Sequence, residues 1–197
     1  TVISRLLKGD FGLVQRGVLI PEGLNSTEIA DTITKAIPKF DKDGFINEAK
    51  KHECYLFPDT YFFAPNEKPE NVIGVMRENF ARSTASLKED IVKSGHSLED
   101  IVIVASIIED ETHTIENKRI VAGILWKRLK MGMPLQMDST LKYVSGKASH
   151  EITKDELEDK SNPYNTYANK GLPPTPISNP GVDAIRAAIA PTNTKYL

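Results

Sequence analysis

The segment IVIVASII, Ile101 to Ile108, is the longest nearly apolar run in the chain, and it ends on Glu109, Asp110 and Glu111. It falls far short of the roughly 18 to 20 residues needed to span a bilayer, so its burial must come from a protein core. Ser97 and Asp100 form a variant capping box ahead of it, which predicts a helix from Leu98 to about Thr112. A helix this apolar has to sit against other elements on a broad face, and it carries three carboxylates with it to the end.

Helical geometry separates those carboxylates. With residues about 100° apart and Ile101 at zero, Val104, Ile107 and Ile108 fall at about 300°, 240° and 340°, and Glu111 lies among them at about 280°. Glu109, Asp110 and His113 fall at about 80°, 180° and 120°. The projection therefore predicts that Glu111 continues the apolar stripe while the other charges face water. A carboxyl in apolar surroundings holds its proton more tightly, which suits a general acid in glycoside cleavage. The alternative is a buried structural pair between Glu111 and Arg119 or Arg128. Glu109 and His113 have i, i+4 spacing, but His52, His96 and His150 lack ligand spacing, so no metal site is expected. Ser106 has no strand-to-helix elbow and Cys54 no evident base.

Around this helix the chain reads as α+β. LVQRGVLI is a predicted strand, PEG a turn, and NSTEIADTITKAI a helix starting at Asn25 or Ser26. That unit is too small for a core of its own. A second helix starts at Asp41 or Lys42. CYLFPDTYFFAPNEKPE is an extended aromatic segment packing on the core. An amphipathic helix is predicted over 71–87, a polar connection over 88–96, and a long helix from Ile115 to Lys130 ending at Gly132. A short helix follows from Asp138 or Ser139, then the acidic stretch TKDELEDK, and a last helix runs from Val182 to Ala190. Between Asn162 and Gly181 lie five prolines and two glycines, a stiff loop whose Tyr164, Asn165, Thr166, Tyr167 and Asn179 suit a ligand wall. A structural connector is the other reading of that loop.

The net charge of −2 supplies no long-range attraction for nucleic acid. A single cysteine excludes an internal disulfide framework and a cysteine-based zinc site. The opening TVISRLLKGD reads as the end of a helix already under way, so an upstream targeting segment is expected.

Several segments then converge. ASIIEDET, VAGILWKRLKMGMPLQMDSTLKY, SNPYNTYANKGLPPTPISNPG and AIRAAIAPTNTKYL resemble, in order, the signatures of the YceG-like family of endolytic murein transglycosylases; YLFPDTY and IPEGLNSTEIADTI resemble its upstream segments. The resemblance implies a YceG-like catalytic domain over 46–197, preceded by part of a LysM-like subdomain over 1–45, both cut short at the ends of the chain. It implies a lytic transglycosylase that cleaves nascent peptidoglycan strands between N-acetylmuramic acid and N-acetylglucosamine, leaving 1,6-anhydro ends and terminating elongation. One acid/base suffices for that chemistry, without a second carboxylate to position water.

By motif position the resemblance makes Glu111 the catalytic acid/base and Glu109 a supporting residue. It assigns substrate binding to Gln136, Asp138, Ser139, Thr140, Tyr164, Asn165, Thr166 and Tyr167, with no metal and no cofactor. It also implies a single-pass protein of the inner or plasma membrane, its catalytic part on the outer face, with peptidoglycan synthases as partners. Two rivals remain: a non-catalytic peptidoglycan-binding scaffold for those synthases, and a muramidase that uses water.

Overall fold

The computed structural model describes residues 14–197, so the N-terminal helix end read from TVISRLLKGD lies outside the described residues. Strand β1 (Arg16–Ile20) pairs antiparallel with β2 (Asp59–Phe63), Val18 standing opposite Tyr61. Side chains alternate across a strand, so Val18, Ile20, Tyr61 and Phe63 turn inward while Leu19 and Phe62 face water. Between the strands, α1 (Ser26–Ala36) starts at a complete capping box: the Asn25 side chain accepts from the Thr27 and Glu28 amides, and Glu28 accepts from the Asn25 amide. Helix α2 (Lys42–Ala49) is capped by Asp41, and α3 (Pro69–Thr84) begins with proline at its first position, where no amide partner is needed.

These elements close over a first core that includes Ile29, Ile33, Phe45, Leu56, Tyr61, Phe63, Val72 and Met76. The aromatic stretch thus divides. Tyr61 and Phe63 fill the first core, whereas Tyr55 and Phe57 pack on the second. The first packing unit extends past residue 45 and through α3, because β1 finds its ladder partner only in β2.

The second core surrounds α5 (Leu98–Glu111), which is buried from Ile101 to Glu109 without a solvent face. Packed on it are α6 (Ile115–Lys130), α7 (Asp138–Ser145) and α9 (Val182–Ile189). Helix α6 runs over the predicted span. The predicted polar connection over 88–96 instead contains helix α4 (Lys88–Ser94), ended by Gly95 in the left-handed region at φ 75°. Only Ile91 of α4 packs on the second core, so no apolar period announced it. The acidic stretch supplies α8 (Lys154–Glu158), started by a Thr153–Glu156 capping box.

A buried polar knot joins the two cores. The Glu53 carboxylate accepts from the Ser26 amide (3.0 Å), the Ser26 hydroxyl (2.7 Å) and the Asn179 Nδ2 (2.6 Å). Asn179 also donates to the Leu24 carbonyl (2.9 Å) and accepts from the Leu56 amide (2.9 Å). Burial pushes the Glu53 carboxyl above its usual range, and the hydrogen bonds from Ser26 and Asn179 pull the other way.

Candidate active site

The last turn of α5 carries the three carboxylates out of the core, and their environments differ from the helical projection. Glu109 is the buried one, 8% exposed. One of its oxygens lies 2.5 Å from the Lys118 Nζ, itself 3% exposed, and the other accepts the Gly181 amide at 3.1 Å. Lys118 stands on the first turn of α6, which Thr114 caps by accepting from the Asn117 amide. Glu111, projected onto the apolar side, is exposed. The projection fails because α5 is buried all round, so it has no single apolar stripe to extend. At its last turn, burial is set by the chain that abuts it: Lys118 and Gly181 cover Glu109, and Glu111 is left in solvent.

Among the described residues Glu111 forms no ion pair. Both arginines weighed as its partners are engaged elsewhere: Arg119 donates to the Ala190 carbonyl (2.9 Å) and Arg128 to the Leu135 carbonyl (2.5 Å). The charge of Glu111 instead reaches Tyr167, whose hydroxyl donates to Asp138 at the start of α7. Burial, the Asp138 hydrogen bond and charge, and then Glu111 push the Tyr167 phenol up to about 12. Asp110 retains accessible surface yet stands in a concavity where protein displaces most of its hydration. Its carboxyl is pushed up to about 7, first by that desolvation and then by Glu28, Glu109 and Glu111, with Lys142 opposing.

The predicted wall residues divide into two groups. Gln136, Ser139, Asp138, Tyr164 and Tyr167 border α7 or the loop with a group still available or partly exposed. Gln136 adopts the left-handed φ of 56°, its amide bonded to the Thr166 carbonyl and its side chain exposed. Tyr164 stacks at a tilt on Tyr143, ring centroids 5.4 Å apart, and bonds Thr175 through its hydroxyl. Thr140, Asn165 and Thr166 are closed from solvent and engaged in internal bonds. Asn165 donates to the carbonyls of Glu156, Leu157 and Asp159 and accepts from the Tyr167 and Ala168 amides. Thr166 accepts from the Met137 amide and shares a 3.1 Å bond with Thr140. These three stiffen the wall.

Sequence reasoning missed Lys118 and Glu53, because each meets its partner through the fold and not through a local pattern. It also missed how the loop is fastened. Ser106, inside α5, accepts from the Ile177 amide (3.1 Å), and its carbonyl accepts from the Ser178 hydroxyl (3.0 Å). Two hollows of about 930 and 520 Å³ lie beside Trp126 and beside Arg186 and contain none of the predicted site residues. Among the described residues no cluster of three or more metal-ligating side chains occurs.

Comparison with known proteins places these features in a family. The model of the YceG-like family matches residues 1–197. The endolytic murein transglycosylase of Bacillus subtilis is 33% identical over the whole of this chain, which spans 61% of that relative's length. The endolytic murein transglycosylase of Streptococcus pneumoniae serotype 2 is 27% identical, again over the whole chain, and is covered to 43%. The crystal structure of the yceG-like protein lmo1499 from Listeria monocytogenes superimposes with a TM-score of 0.80 at 29% identity, covering 99% of this chain and 72% of the other.

Proposed function

The chain belongs to the YceG-like family, and from that premise we propose that it is the catalytic part of an endolytic lytic transglycosylase acting on murein glycan strands, with Glu111 as its acid/base. The observation that carries this reading is the division of labour at the end of α5. Glu109 is enclosed and held between Lys118 and Gly181, whereas Glu111, two residues on, is exposed, without an ion pair among the described residues, and near enough to Tyr167 for its charge to act on that phenol. A group that must take up and release a proton needs access to substrate, and Glu111 has it.

In the proposed reaction Glu111 protonates the oxygen that links muramic acid C1 to the next sugar, and the C1–O bond breaks. The muramic acid 6-hydroxyl then bonds to C1 and returns its proton to Glu111. No water is consumed, and the acid is regenerated. A glycan strand lying over the helix end brings its glycosidic oxygen to the exposed Glu111 carboxyl. Tyr164 and Tyr167 offer ring faces for sugars, and Gln136 and Asp138 offer hydrogen bonds. Thr140, Asn165 and Thr166 hold those groups in place. On the same reading the whole protein works beside peptidoglycan synthases at the outer face of the cell membrane, held there by a single span. Among the described residues no helix is long and apolar enough to cross a membrane.

Incubating the protein with intact glycan strands and identifying the ends by mass spectrometry tests the reading. Anhydro-muramic ends that disappear in Glu111→Gln are the expected result. Reducing ends would assign a muramidase, and uncleaved strands with retained binding would assign a scaffold.

A further inference from the structure

Beside the proposed acid/base lies a small hollow of about 160 Å³ that belongs to both halves of the molecule. Gly23, Asn25 and Glu28 form one wall, from the turn after β1 and the start of α1. Asp110 of α5 and Ser139, Lys142 and Tyr143 of α7 form the other, and Ile177 lies between them. Gly23, at φ 83°, allows the turn to lie close to α5: a β-carbon there would stand 3.3 Å from the Asp110 carboxyl.

The polar groups around this hollow are not equivalent. Asn25 is occupied in capping α1, and Glu28 returns to the Asn25 amide. Ser139 is 7% exposed, and its hydroxyl has no partner among the described residues. Buried hydroxyls are nearly always bonded, so an orphan at the wall of a cavity marks a place where something else completes the bond. Lys142 forms no ion pair among the described residues, and Asp110 accepts no hydrogen bond from them. The hollow is therefore supplied with one ammonium, one hydroxyl and one carboxyl that the fold does not use.

We infer that this hollow is a subsite for the acetamido arm of an N-acetylated sugar in the strand, an inference that rests on the reaction proposed above. The volume lies below the about 300–1,000 Å³ of pockets that enclose a whole small molecule, so it takes a substituent and not a ring. An acetamido group carries one carbonyl acceptor, one N–H donor and one methyl. Lys142 or Ser139 donates to the carbonyl, an Asp110 carboxyl oxygen accepts the N–H, and Ile177 with the Tyr143 ring receives the methyl. Two carboxyl groups, Asp110 and Glu28, beside one ammonium disfavour a carboxylate arm such as a lactyl group. The position of Asp110, directly before Glu111 on the same helix, means that an arm seated here sets where the neighbouring glycosidic oxygen stands relative to Glu111.

The test uses the Glu111→Gln chain, peptide-free murein glycan strands, the same strands after de-N-acetylation, and those strands re-acetylated. Backbone amide shifts are followed by NMR. The acetylated and re-acetylated strands should move the amides of Asp110 and Ser139 to Tyr143, and the de-N-acetylated strands should not. Ser139→Ala and Lys142→Met should each weaken binding of acetylated strands about three- to ten-fold, the range of a single hydrogen bond. Lys142 is exposed, so its variant reads the pocket even if Ser139→Ala disturbs α7. Equal shifts with both kinds of strand, or shifts that avoid this pocket, overturn the inference. Product analysis of the unmodified chain runs alongside. Anhydro ends without pocket shifts sink the subsite and keep the reaction; pocket shifts without anhydro ends keep the subsite and sink the reaction.

Discussion

Glu109 and Glu111 are two residues apart on one helix and sit in opposite surroundings. Glu109 is enclosed, paired with Lys118 and bonded to the Gly181 amide; Glu111 is exposed beside the Tyr167–Asp138 pair. Chemical identity and local sequence are nearly the same for both, so the difference arises from what packs against each. A buried charge pair ties three segments together, namely α5, α6 and the loop before α9. Glu111 at the rim is left open to solvent. On the assignment proposed above, two neighbouring acids divide their tasks, one fixing the frame and the other serving the reaction.

The largest expected effect breaks that division at its reactive side. Glu111→Gln should lower the rate of anhydro-end formation about 10²- to 10⁴-fold, the usual contribution of a general acid/base. Its thermal midpoint should stay close to the parent's, since surface substitutions usually fall within about 0.5 kcal/mol. Lys118→Met should do the reverse and cost about 3–5 kcal/mol of stability, because it strands a buried carboxylate. Denaturant unfolding would show it, and adding Glu109→Leu to the same chain should recover much of the loss. If Lys118→Met unfolds at the parent's midpoint, the buried pair is not the frame described here.

Tyr167→Phe should have a smaller effect, about 1 kcal/mol in stability, with a modest drop in turnover, because Asp138 can turn to solvent for a partner. Solvent screening of the exposed Asp110 discounts the last effect, a pH dependence, although its folded-state carboxyl is pushed up to about 7 from an ordinary value of 3.8. The folded chain holds this proton more tightly than the unfolded one, so the contribution to stability is present below about pH 4 and is lost as pH rises through about 7. Asp110→Asn should therefore melt above the parent at pH 8 and together with it at pH 4. A difference of the same size at both pH values would remove Asp110 from that account.

What the sequence made legible was mostly written within a few residues. Asn25 or Ser26, Asp41 or Lys42, and Ser97 with Asp100 announced helix starts that the structure has, and α6 occupies the span read for it. The family motifs pointed to the end of α5 and to the loop from Asn162 to Gly181. Burial at that end was not legible. A projection assumes one buried face, and α5 has protein on every side, so the angle of Glu111 said nothing about its solvent. The β1–β2 pairing and the partners of Glu53 were invisible for a related reason: nothing in Val18 specifies Tyr61, and nothing in Glu53 specifies Asn179. Burial of Thr140, Asn165 and Thr166 belongs with these, since a polar loop residue reads alike whether it faces a ligand or its own backbone.

The polar knot at Asn179 also bears on the order in which the molecule can be completed. Asn179 reaches Glu53 across 126 positions and Leu24 across 155. A chain made from its N-terminus can assemble the first core early, since domains tend to fold as they emerge. Until the last fifth of the chain is available, Glu53 has its Ser26 partners but not its bond from Asn179, and the Leu24 carbonyl lacks the Asn179 side chain. In the finished fold one amide side chain, spanning the Leu24 carbonyl, the Glu53 carboxylate and the Leu56 amide, closes the boundary of the first core and pins to it the loop that leads into α9.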